Sequence, residues 1–190
     1  MRRLSVRPAI TLKGRKFKGL RGFAGKPLHP PLTDIPIGAY VLGAALDVIS
    51  AIGGDSHAWS RDFWHAGTYA FIGGAAVSVL TALTGLIDWW KSSEAGTQAR
   101  RTANTHALIM VTVTVLTIVD IVLRLNGYHT DASTPTGVLV LSIVIAVLVA
   151  WGSTYGGSLV FDYGFNVETA GDSPVWHQSE TDVFPGDHAA

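Results

Sequence analysis

The side chains in this sequence that could do chemistry are few: mainly histidines, aspartates and one arginine set in or beside long apolar runs. His29, Asp34, Asp88 and His106 lie at the edges of such runs. Two neutral imidazoles suit the axial positions of haem iron, whereas imidazole with carboxylate suits zinc or iron. His29 and His106 are therefore candidate haem b ligands, and all four residues form a candidate divalent-metal set. Asp47, Asp120 and Arg124 fall inside the runs, with His65 at the mouth of one. An ionisable group inside a membrane span is costly and marks function by default. Arg124 follows Asp120 by four residues, on one helix face, which predicts an ion pair. Asp47 is a second partner for the same guanidinium, and the group reads either as a structural ion pair or as a proton relay.

The elements that must position these residues are membrane spans. Apolar residues make up 48% of the 190 residues and charged residues only 15%, against roughly 25% charged in a soluble domain. The deficit is concentrated in four stretches, about 35–53, 63–90, 105–125 and 137–156. Each is long enough to cross a hydrocarbon core, which takes about 20 helical residues. The third and fourth are rich in Val, Ile and Thr, but they run far beyond the four to eight residues of a typical strand. The expectation is an all-α fold, an integral membrane bundle of four transmembrane helices. Short loops make consecutive helices antiparallel neighbours. Trp89 and Trp90 end the second span, as amphipathic rings do at a membrane interface. Small residues at 73–76, with Ala82 and Gly85, allow close helix approach. The sequence shows no convincing internal repeat.

Charge is distributed unevenly along the chain. Nine of the fourteen Lys and Arg residues fall in residues 1–26, whereas the chain from Ser158 onward has six acids and neither Lys nor Arg. The chain divides into a basic arm (1–26), a transmembrane domain (27–167) and an acidic, polar tail (168–190) that reads as disordered. The loop between spans two and three carries Lys91, Arg100 and Arg101, while the other loops have only Arg61. By the positive-inside rule both termini and the middle loop face the cytoplasm of a multi-pass cell-membrane protein. The arm reads as a solvated segment that touches anionic lipid rather than nucleic acid. A cleavable signal peptide is not expected, because the first apolar run begins only near Ile35.

This topology sorts the polar groups into two depths. His29, Asp34, Asp88, His106 and Tyr155 meet at the cytoplasmic side. Asp47 lies about 18 Å beyond Ile35 and Asp120 about 21 Å beyond His106 at the helical rise per residue, so both sit toward the outer face near Arg124 and His65. For the histidines the plain alternative is a hydrogen-bonded interfacial role. For Asp88 it is solvation or capping of a neighbouring helix.

The segment GKPLHPPLTDIPIG at 25–38 resembles the opening of the domain-of-unknown-function 2231 family of predicted four-helix membrane proteins. TALTGLIDW at 81–89, RRTANTHALIM at 100–110 and GGSLVFDYGFNVE at 156–168 add to the resemblance in the same order. It covers about residues 25–167, and His29, Asp88 and His106 match motif positions. Lys26 stands where members often carry the first histidine of the opening, so a ligand role at that position is absent here. Some relatives are joined to a Rieske-type iron–sulfur domain, which implies membrane electron transfer with redox-complex subunits as partners. This chain has no cysteine, so thiolate-held clusters and disulfides within it are excluded.

Three functions follow from these readings. One is a redox-associated component binding haem b or a metal at the His/Asp cluster. A second is a small permease or proton-linked transport or sensing unit. The third is a structural or assembly subunit of a membrane complex. No Gly-x-Ser-x-Gly elbow, HExxH helix or phosphate loop occurs, so no hydrolase or transferase motif supports an enzyme.

Overall fold

A computed structural model describes residues 19, 20 and 27–167 of the chain. The rest of the basic arm and the acidic tail from 168 onward lie outside the described residues. Four long helices account for most of the description: α1 (His29–Gly53), α2 (Ala58–Ser92), α3 (Gln98–Gly127) and α4 (Thr136–Phe161). A one-turn 3-10 segment, Gly54–Ser56, joins the first two. All four helices are long and apolar enough to cross a membrane.

Each helix extends beyond the apolar stretch inside it, and the difference matters most at α1. The apolar run begins near Ile35, but the helix begins at His29. The prolines that suggest an irregular segment, Pro30 and Pro31, lie in the first helical turn, where the missing N–H would have no intrahelical partner in any case. Pro36 lies inside the helix, beyond its first turn. Its ring leaves the Leu32 carbonyl without its usual donor, and the Thr81 hydroxyl of α2 donates to that oxygen at 3.2 Å. A proline in mid-helix is thereby tolerated.

The helices form a four-cornered bundle. α1 packs on α2 and α4, and α3 packs on α4 and α2, so α1 and α3 lie across one diagonal. The centre is closed by Tyr40, Phe71, Val113, Ile145 and Val149. The outer faces are apolar too: Ile52, Leu83, Val111, Val119, Val147 and Trp151 are among the exposed side chains. A surface of this kind faces hydrocarbon rather than water.

Inside the bundle the two helical hairpins keep a common register. Pro36, Tyr40, Gly43 and Asp47 are buried on α1, and the residues 77 positions on, Val113, Thr117, Asp120 and Arg124, are buried on α3. Gly67, Phe71, Gly74 and Asp88 are buried on α2, and the residues 71 positions on, Val138, Ser142, Ile145 and Leu159, are buried on α4. Among the described residues these positions recur at fixed offsets from one hairpin to the next, a repeat of buried pattern that residue identities conceal.

Candidate functional site

His29 and His106 are brought together with their rings nearly perpendicular. They open or lie near the start of α1 and α3, at equivalent positions of the two hairpins, and their ring centroids are 6.5 Å apart at 85°. Each imidazole is held by the second helix of its own hairpin. His29 Nδ1 donates to the Thr81 carbonyl at 3.0 Å, with the Thr84 hydroxyl 3.3 Å away. His106 Nδ1 donates to the Gly152 carbonyl at 2.9 Å. A carbonyl only accepts, so the proton of the neutral ring is on Nδ1 and Nε2 keeps its lone pair.

A helical carbonyl is usually shaded by the side chain four residues on. Here that residue is glycine in both cases: Gly85 follows Thr81, and Gly156 follows Gly152. A Cβ on Gly85 would come within 2.6 Å of His29 Cε1, and one on Gly156 within 3.1 Å of His106 Cε1. The two imidazoles therefore lie directly on helix backbone. Sequence reasoning missed these glycines, because their role shows only once the two helices of each hairpin are packed together.

The two carboxylates expected at this level do not share the arrangement. Asp34 is exposed on α1. Asp88 is buried on α2 and accepts from the Leu20 N–H at 3.0 Å, while Leu28 N–H donates to the Leu20 carbonyl at 2.9 Å. Gly19 and Asn166 lie against the same carboxylate, since a Cβ on Gly19 would touch both. Asp88 thus ties the chain before α1 to the end of α2. Tyr155 packs on Trp151. Among the described residues no three His, Asp or Glu side chains come together as metal ligands.

At the neighbouring end of α2, Arg100 stacks over Trp89 at 3.7 Å and donates to the Trp89 and Ser93 carbonyls. The last carbonyls of α2 are thereby capped by a cation.

The second level is a wholly buried triad. Arg124 donates to both Asp47 oxygens, with Nη1 3.0 Å from Oδ1 and Nη2 on Oδ2, and its Nε donates to Asp120 Oδ2 at 2.5 Å. All three side chains have no exposure. The Thr134 hydroxyl donates to Asp47 at 3.3 Å, and the Thr134 N–H donates to Ser50 at 2.9 Å. Phe71 and Trp64 flank the guanidinium at 4.3 and 5.2 Å. Gly67 gives Asp47 room, since a Cβ there would reach 2.7 Å from Oδ1. His65 stays outside the triad: it stacks on Tyr128 and bonds the Tyr128 carbonyl at 3.0 Å.

The site therefore has two parts on one diagonal, an imidazole pair at one end and an ion triad nearer the other. No curated protein and no solved structure matches the chain. The family model for predicted membrane proteins of domain of unknown function 2231 matches residues 25–169. With four membrane-length helices and a match over most of its length, the chain belongs to that family of membrane proteins.

Proposed function

We propose that this membrane protein binds haem b between His29 and His106 and serves as a one-electron carrier in the bilayer. The carrying observation is the pair of imidazoles, each fixed through Nδ1 with Nε2 left to ligate. Metal-binding histidines commonly donate their other N–H to a backbone carbonyl, which orients the ring. Two imidazoles on opposite sides of one metal ion, at about 2 Å per bond, have ring centres roughly 6–6.5 Å apart. The 6.5 Å separation fits that spacing.

The donor count favours haem over a bare ion. A zinc site takes four ligands as a rule, and Asp34 and Asp88 are engaged or exposed elsewhere. Haem needs only two axial side chains from the protein, and its iron supplies one-electron chemistry. The residues of this chain hold the rings, keep them neutral toward the metal and enclose them between helices. The basic middle loop supports placing the histidine end at the cytoplasmic face, with redox subunits of a membrane complex as partners.

The deciding experiment is the optical spectrum of protein purified from a haem-sufficient host. A Soret band that shifts on dithionite reduction, with about one haem per chain, is the expected result. Absence of the band, together with failure to take up added haemin, overturns the proposal.

A further inference from the structure

We propose that the Asp47–Arg124–Asp120 triad is a proton-binding site, holding one exchangeable proton on Asp120. The argument rests on charge and coordination and does not depend on haem. Asp47 is fully engaged, accepting two bonds from Arg124 and one from Thr134. Asp120 receives only the Arg124 Nε–H on Oδ2, and its Oδ1 is buried without a partner. Two further buried polar atoms nearby also lack partners. One is Thr117 Oγ1, three residues before Asp120 on α3, with only a weak contact to the Tyr40 hydroxyl. The other is Trp64 Nε1, whose ring packs over Arg124. Unsatisfied groups of this kind are rare in a packed interior and call for an explanation.

One guanidinium against two carboxylates leaves an excess negative charge. Among the described residues no other charged group faces it. α1 presents Asp47 itself, and α2 presents Trp64, Gly67 and Phe71. α4 contains no Asp, Glu, Lys, Arg or His from Thr136 to Phe161. The loop before α4 adds only Thr134. An uncompensated carboxylate in a low-dielectric interior takes up a proton rather than remain charged. Protonation removes the excess charge and turns Oδ1 into a donor, with the Thr117 oxygen available on the same helix.

Infrared spectroscopy of the full chain in lipid nanodiscs tests this directly. At neutral pH the wild type is expected to show one deuterium-sensitive protonated-carboxyl C=O band that titrates away reversibly as pH rises. Asp88→Asn keeps the band and Asp120→Asn removes it. Asp47→Asn also removes it, because Arg124 then balances Asp120 alone. The wild-type spectrum carries the test even where a variant fails to fold. Absence of the band in wild type at neutral pH overturns the proposal. So does a band that survives Asp120→Asn, or one that follows sodium concentration at fixed pH.

Discussion

Asp47 of α1 and Arg124 of α3 occupy equivalent positions in the two hairpins and bond to each other across the bundle. Each stands eighteen residues beyond the histidine of its own hairpin, His29 or His106. The same diagonal thus carries a pair of like residues at one end and a pair of opposite charges toward the other. Each imidazole has its Nδ1 committed to a carbonyl, which leaves Nε2 of both for a shared ligand. The carboxylate and guanidinium satisfy each other.

Removing Arg124 should be the most damaging single change to stability. Breaking a buried ion pair by deleting one partner costs about 3–5 kcal/mol, because the remaining charge is stranded. Arg124→Met should show a loss of that order in reversible detergent unfolding. The triple change Asp47→Leu, Asp120→Leu, Arg124→Met should recover most of it. A triple variant no more stable than the single one would argue against this account.

The glycine seats under the imidazoles give a test of the haem site that spares the ligands. Gly85→Ala places a methyl against His29, whereas Gly73→Ala meets nothing within 4 Å. Disturbing the groups that orient a ligating histidine typically weakens metal affinity by about 10–100-fold. Haemin titration should show a loss in that range for Gly85→Ala and none for Gly73→Ala. Equal affinities would separate the glycine from the site.

The bond from Thr81 to the Leu32 carbonyl exists because Pro36 leaves that carbonyl open. Thr81→Val should therefore cost about 0.6 kcal/mol, the average for a side-chain hydrogen bond between membrane helices. In a Pro36→Ala background the backbone N–H returns and the cost of Thr81→Val should shrink toward zero. A double-mutant cycle in detergent unfolding reads the difference directly. No coupling between the two sites would refute the assignment.

Orientation can be read by chemical labelling, since the chain has no cysteine of its own. A membrane-impermeant maleimide applied to intact cells should label Ala132→Cys, in the loop before α4, and spare Ala95→Cys, between α2 and α3. Lysis should expose both. The reverse pattern would invert the topology, and with it the face at which the histidines open.

How much of this was legible in the sequence depended on the kind of physics involved. The four helices could be read because long uncharged runs have few alternatives in a membrane. The approach of His29 to His106 followed from antiparallel order alone, without any knowledge of packing. Asp88 could not be placed the same way. Its partner is a backbone N–H at Leu20, and no residue type announces a bond of that kind. The repeat was hidden for a different reason. Asp47 and Arg124 complement each other across the bundle, and at the other matching positions the residue types differ, Gly74 with Ile145 and Phe71 with Ser142. Comparison by identity discards that relationship. Nor could the sequence show that a hydroxyl from another helix serves the carbonyl that Pro36 leaves open.

The unlike charges at equivalent positions also govern which halves can assemble. If the first hairpin met a second copy of itself, Asp47 would oppose Asp47 in a dry interior. Two second hairpins would set Arg124 against Arg124. Either mispairing sets like charges against each other where water cannot screen them, whereas the first hairpin with the second gives Asp47 a guanidinium and leaves a single excess charge, met by the proton on Asp120. A single buried contact therefore rejects self-association of either half during insertion, and it makes the covalent order of the two hairpins a matter of recognition as well as connection.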